Sequence, residues 1–301
     1  MHDALIAPFS DNEFMWHALL AGVLVSAVCA LVGTFVVLRG MSFVGDALAH
    51  GVLPGVATAT LAGLSPILGA FVGAGVMMGG VALVSKRTRL SNDTAIGLMF
   101  VLMLSIGVMV ISKSDDFRGD LTQVLFGEIL AVSTARIFWL AITVLVVGAV
   151  VYVARRPFLL SCMDADLVRT SGFSPSKTQI VLHALIGVTV VASFNAVGTL
   201  LVFGMLVAPA ATGALLARRL QTMMLIAFIT GCVSTYAGLT ISYHADLAAG
   251  ATVIVVAVAI FLVVMTIQEV IRLSRPREIE VGHHLHTHDH DHNHAVPGRG
   301  L

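Results

Sequence analysis

Asp46 and His50 stand four residues apart, a spacing that stacks a carboxylate and an imidazole on one face of a helix. Both groups are ligands for divalent transition ions, and zinc accepts such mixed oxygen and nitrogen donors. The plainer alternative is that Asp46 caps a helix start while His50 hydrogen-bonds a neighbour. A second concentration of ligands closes the chain: His283, His284, His286, His288, His290, His292 and His294, interleaved with Asp289, Asp291 and Asn293. Neutral imidazoles at this density bind zinc, nickel or copper, and a tract with no apolar content has nothing to fold around. Its broken pattern, continued by residues 295–301, is unlike an uninterrupted purification tag.

Other candidates carry less. His183 is a lone imidazole in an apolar stretch, the pattern of a hydrogen-bonded core histidine. Asp115, Asp116, Asp120 and Glu128 form an acidic stretch, with His244 and Asp246 in a separate loop; such groups draw cations or simply keep a loop solvated. Residues 127–130 suggest a short helix lying near the membrane surface. Cys29, Cys162 and Cys232 are widely spaced and form no C-x-x-C pair, so neither a disulfide framework nor a thiolate metal site is indicated. There is no G-x-x-x-x-G-K-[ST] phosphate loop, no H-E-x-x-H and no nucleophile–base constellation. The expectation is therefore a chain that is not itself an enzyme.

The elements that position these residues must be membrane spans. The chain is 57% hydrophobic and 11% charged over 301 residues, with a mean hydropathy of +0.96, too apolar for a soluble domain of this length. A formal net charge of zero provides no basic field for nucleic acid. A bilayer core needs about 20 apolar residues per helix, and the sequence predicts an all-α bundle of about nine spans: 14–38, 46–64, 66–84, 93–111, 137–154, 178–193, 196–216, 221–242 and 248–270. Residues 1–13 have no positive cluster, and the first apolar run exceeds the h-region of a cleaved signal peptide, so it reads as a retained span. Ser65–Pro66 and Ser91–Asn92–Asp93 look like helix starts. Pro54 and Pro209 should interrupt their helices. Gly51 and Gly55, Gly69 and Gly73, and Gly75 and Gly79 fall at the spacing that lets helix backbones approach closely.

With the N-terminus outside, Arg39, Lys86, Arg87, Arg89, Arg155, Arg156, Arg169, Lys177, Arg218, Arg219, Arg272, Arg275 and Arg277 fall on the inner side. Lys113, Arg118 and Arg136 fall outside. The positive-inside rule thus places residues 271–301 in the cytoplasm. The longest inner loop, 155–177, contains Met163–Phe173, which reads as a short polar helix ended by glycine.

The stretch Val36-Val37-Leu38-Arg39-Gly40-Met41-Ser42-Phe43-Val44-Gly45-Asp46-Ala47-Leu48-Ala49-His50-Gly51-Val52-Leu53-Pro54-Gly55 resembles a signature of Arg, Met-Ser, Gly-Asp-Ala, His and Pro-Gly found in the membrane permeases of bacterial ABC importers for zinc, manganese and iron. Two further stretches resemble the same family: Val197–Val202 through Pro209–Thr212, and the loop from Asp164 and Asp166 to Gly172. Together they are spread over most of 14–270; the histidine-rich tail lies outside. The resemblance implies a type II ABC importer permease-like fold in the bacterial inner membrane. It implies a homodimer with the ion path between subunits, two cytoplasmic ATPase subunits that hydrolyse ATP in place of this chain, and an external metal-binding protein. By the same resemblance Asp46 and His50 face the path, and Met163–Phe173, with Asp164, Asp166 and Gly172, forms the helix that docks on the ATPase.

The shared motifs do not separate zinc from manganese or iron. The imidazole-rich tail tilts the expectation to zinc, as a transported ion rather than a permanently bound one. Two rivals remain at this point. A gradient-driven metal carrier should have more acidic and histidine pairs at mid-membrane, and an ABC permease for a metal chelate would have less use for Asp46 and His50.

Overall fold

The computed structural model describes residues 13–41, 43–88, 91–111, 132–163 and 165–274. Among these the chain forms eleven helices and no strand. They are α1 (Glu13–Leu38), α2 (Val44–Gly51), α3 (Leu53–Leu61), α4 (Pro66–Arg87), α5 (Asn92–Ile111), α6 (Thr134–Met163), α7 (Ala165–Thr170), α8 (Pro175–Val197), α9 (Thr199–Leu216), α10 (Leu220–Ala245) and α11 (Ala249–Ser274). The histidine-rich tail, Asp164 and the acidic stretch from Asp115 to Glu128, with its suggested short helix, lie outside the described residues.

All nine expected stretches are helical, but the number that qualifies as independent spans is smaller. Six helical segments among the described residues are long and apolar enough to cross a membrane: Phe14–Leu38, Pro66–Ser85, Thr134–Met163, Pro175–Phe194, Leu220–Ala245 and Ala249–Leu273. Asp93–Gly107 and Leu200–Leu216 are apolar but shorter. The expected second span is split into α2 and α3, because Pro54 sits in the first turn of α3 and has no N–H to continue the ladder. Pro209, by contrast, lies inside α9 without ending it. Ser65 precedes α4 in an extended conformation with Pro66 at the first helical positions. Ser91 Oγ accepts from the Thr94 N–H at 3.2 Å, satisfying one of the orphan donors that begin α5.

Two boundaries depart from the sequence expectation. The fifth span runs on to Met163 rather than stopping at Ala154, through Pro157, so 155–163 is helix and not loop. Packing holds this extension in place: Phe158 is buried, edge-on to Phe35 of α1 at 5.2 Å between centroids, and Arg155 lies over the Tyr152 ring at 4.9 Å. At about 1.5 Å per residue the 30-residue α6 is some 45 Å long, more than the roughly 30 Å apolar core of a bilayer. The sixth and seventh spans part at Gly198 rather than at Phe194 and Asn195; its φ of 86° is accessible to glycine and strained for other residues.

α1 and α9 pack on each other and on α10, and α11 packs on α9 and α10, while α2, α3, α4 and α5 form a second group, and α6 and α8 join the two through α1, α4 and α9. Polar packing inside the bundle is local: Ser26 Oγ donates to the Gly22 carbonyl and lies 3.5 Å from Thr235 Oγ1 across the α1–α10 contact. The outer surface of α6 and α11 is strongly apolar, with Leu145, Val153 and Leu273 each more than 70% exposed. That pattern has a physical reason only if lipid, not water, is the solvent.

Candidate functional site

α2 is one of the most enclosed elements in the bundle. It touches α3, α4, α5, α8 and α9, and of its eight residues all are buried except Asp46 and His50. These two side chains are 41% and 27% exposed, with His50 Nε2 3.5 Å from Asp46 Oδ1. The i, i+4 stacking expected from spacing is therefore present, and the pair forms the accessible stripe of a helix otherwise sealed in protein. The helix is preceded by Phe43 and has no side-chain cap bond, so Asp46 is not a capping residue. It sits in the first turn, and His50 in the last.

A neighbour that the sequence did not single out completes the immediate surroundings. Phe100 of α5 meets the His50 ring edge-on, with 5.7 Å between centroids and 68° between planes. The imidazole is thus held between a carboxylate on its own helix and an aromatic ring on the next. No signal in the sequence selects Phe100 from the other phenylalanines, because the contact joins residues 50 positions apart.

Among the described residues no group of three or more His, Cys, Asp or Glu side chains converges on one point. Among the described residues one copy of the chain therefore brings two donors together at α2, fewer than the four that a tetrahedral zinc site uses. His183 is not drawn into the pair: it is buried in α8, and its Nδ1 donates to the Gln179 carbonyl at 2.7 Å. His244 likewise bonds within its own helix, Nδ1 to the Thr240 carbonyl at 2.8 Å, and packs against Tyr243. Asp246 ends α10 with a φ of 50°.

The short helix expected in 163–173 is α7. Its end is a Schellman motif: the Phe173 N–H bonds the Val168 carbonyl, and the Gly172 N–H bonds the Arg169 carbonyl, both at 3.0 Å. Gly172 has a φ of 81°, the left-handed conformation that such caps demand. Val168 is buried, whereas Met163, Leu167 and Phe173 are large apolar side chains left exposed around α7. Asp166 belongs to this helix.

Arg39, Arg87, Arg218 and Arg272 lie at or next to the C-terminal ends of α1, α4, α9 and α11, and Arg155 and Arg156 lie in the last third of α6. Arg39 follows α1 within electrostatic reach of Cys162 at the end of α6 and His183 near the start of α8, and partial burial pulls its guanidinium below the ordinary value. Gln268 of α11 donates to the Leu215 carbonyl of α9 at 2.8 Å, which places the ends of those two helices side by side.

Residues 11–268 match the ABC 3 transport family. A probable iron transport system membrane protein of Haemophilus influenzae is 34% identical over 270 residues, covering 90% of this chain and 99% of that one. A manganese transport system membrane protein, MntC, of Halalkalibacterium halodurans is 34% identical over 250 residues, covering 83% and 85%. Among solved structures, PsaBC from Streptococcus pneumoniae in complex with Fab superposes with a TM-score of 0.79 at 30% identity, covering 91% of this chain and 100% of that one. An inward-facing putative metal-chelate type ABC transporter shares the fold, with a TM-score of 0.69 at 14% identity and coverage of 83% and 85%.

Proposed function

The chain belongs to the ABC 3 transport family, and from that premise we propose that it is the membrane permease of an ATP-driven importer in which Asp46 and His50 form the polar station on the path of a divalent metal ion. The observation that carries this reading is the exposure of those two side chains alone on an otherwise buried helix. An ionisable pair kept accessible inside a membrane bundle is expensive unless it meets something polar, and a carboxylate beside an imidazole suits a first-row divalent ion.

Two donors per copy are too few to hold such an ion, so a second copy facing the first would supply the other two. That count supports the homodimer with the path between subunits. The partners follow from the same reading: cytoplasmic ATPase subunits hydrolyse the ATP, and an external metal-binding protein delivers the ion. The exposed Met163, Leu167 and Phe173 around α7 make an apolar knob fit to seat on the ATPase, with Gly172 setting its angle. The collection of arginines at one end of the bundle supports an inner-membrane orientation with α7 and the histidine-rich tail in the cytoplasm.

For the ion, zinc is our reading, resting on the imidazoles of the tail. A second reading has its own observation: the relatives above carry manganese and iron in their names, and a carboxylate ligand suits those ions as well. Uptake into vesicles containing the permease, its ATPase and its binding protein decides both points. Zinc uptake that needs ATP, resists competition by manganese and iron, and disappears in a D46A/H50A variant is the expected result. Accumulation that follows a proton gradient without the ATPase, or survives the double substitution, overturns the path assignment.

A further inference from the structure

α4 and α8 enclose a cavity of about 350 Å³ that opens on the surface of the bundle. An added Cβ on Gly187 of α8 would lie 3.9 Å from Ala74 of α4, while the opposite end of the lining reaches Ala82 and Ser176, so the two helices run antiparallel. The cavity has two different ends. Its polar side chains, Ser176, Gln179 and His183, all belong to the first turns of α8, and the lining beyond them is apolar or glycine. Two exposed cations lie on the same helices towards that polar end, outside the lining itself: Lys177, next to Ser176, and Arg87, just over a turn beyond Ala82.

The floor explains why the cavity exists. Gly75 and Gly79 line it, and a Cβ on either would meet nothing within 4 Å. They are therefore not closing a helix–helix contact, although their spacing matches that of Gly69 and Gly73, which do. The length is informative as well. From Ser176 to Gly187 the helix rises about 16 Å, close to half of the roughly 30 Å apolar thickness of a bilayer. A slot that begins at a cationic, hydrogen-bonding rim and runs apolar to mid-membrane matches one leaflet's phospholipid: phosphate at the rim, acyl chain in the slot.

We propose that the α4–α8 cavity is a binding site for an anionic glycerophospholipid of the leaflet at the Arg87 and Lys177 end, with its headgroup at these cations and one acyl chain along Gly75 and Gly79. Asp46 and His50 are not among the residues that line it. It depends on the chain spanning a membrane and not on the identity of the transported ion, so it can fail while the importer reading stands, and the reverse.

The test is native mass spectrometry of the full chain released from nanodiscs of equal phosphatidylglycerol and phosphatidylethanolamine, without metal or ATPase. The wild type is expected to retain one phosphatidylglycerol per copy in preference to phosphatidylethanolamine. Gly79→Leu fills the slot from the open floor and Ala184→Leu from the other wall, and each is expected to lose the retained lipid. R87E/K177E is expected to reverse the headgroup preference. Gly97→Leu, on α5 where an added Cβ also meets nothing within 4 Å, serves as the control and retains lipid like the wild type. Equal retention in both slot-filling variants, or release of the wild type without lipid, overturns the proposal. So does loss of the dimer in Gly79→Leu with lipid unchanged, which would give the groove to a second copy of the chain.

Discussion

The imidazole of His50 packs edge-on against the ring of Phe100, 5.7 Å between centroids, while its Nε2 lies 3.5 Å from the Asp46 carboxylate. An aromatic ring at this distance fixes where the imidazole points without competing for its nitrogens. Phe100→Ala frees the ring and is expected to raise the apparent KM for metal uptake several-fold, roughly what a loss of about 1 kcal/mol predicts. Phe100→Tyr preserves the contact and is expected to leave KM unchanged. Equal KM values for the alanine variant and the wild type would remove Phe100 from the site.

Asp46 and His50 are accessible, and the ring contact of His50 with Phe100 is the packing their loss puts at stake, so substitution should largely separate function from stability. Asp46→Asn is expected to shift unfolding by no more than about 0.5 kcal/mol, the range of surface substitutions, and His50→Gln by about 1 kcal/mol through the lost ring contact, while metal uptake falls at least tenfold in both. Thermal unfolding in detergent, run beside the uptake assay, reads both. A variant that unfolds early would assign the residue to the scaffold.

Gly55 and Gly75 make a matched pair for testing helix packing. A Cβ at Gly55 would meet the Gly69 carbonyl oxygen of α4, whereas one at Gly75 meets nothing within 4 Å. Gly55→Ala is expected to destabilise by about 1–3 kcal/mol through overpacking, and Gly75→Ala to be neutral or slightly stabilising because alanine is the better helix former. Denaturation in mixed micelles compares them directly; equal effects would contradict the close approach of α3 and α4.

Thr189 and Ser193 are buried on α8, and among the described residues their hydroxyls have no hydrogen-bond partner. A hydroxyl shielded from water and left unpaired costs about 1–3 kcal/mol. Thr189→Val keeps the shape and removes the orphan, so its unfolding temperature should rise. A fall would reveal a partner for the hydroxyl in the assembled transporter.

Gly172 holds a φ of 81° at the end of α7. Gly172→Ala imposes about 1–2 kcal/mol of left-handed strain on any L-residue, enough to re-aim Phe173 without unfolding the bundle. Under the importer reading, ATPase stimulation by the permease should drop while detergent stability of the isolated permease changes little. Unaltered stimulation would detach α7 from the coupling role.

Much of this was legible in the residues because hydropathy reports the solvent. Apolar runs of span length cannot be soluble, and every expected stretch is helical, since a lone segment in lipid must satisfy its own backbone. The stacking of Asp46 on His50 and the glycine stop of α7 were equally local. Each needs only helix periodicity or one residue's φ, and neither depends on the rest of the chain.

The tertiary structure decided what periodicity cannot encode in a membrane. In water, a helix shows which face is buried by alternating apolar and polar residues; in lipid the inward and outward faces are both apolar, so packing leaves little trace in the sequence. Three glycine pairs at identical spacing therefore looked alike, yet Gly55, Gly69 and Gly73 let α3 and α4 touch while Gly75 and Gly79 floor an open slot. Pro54 divided one span, whereas Pro209 and Pro157 stayed inside continuous helices, a difference that the residue type alone does not carry. The placing of Phe100 on His50 belongs to the same class: it is a contact between helices, and only the fold brings them together.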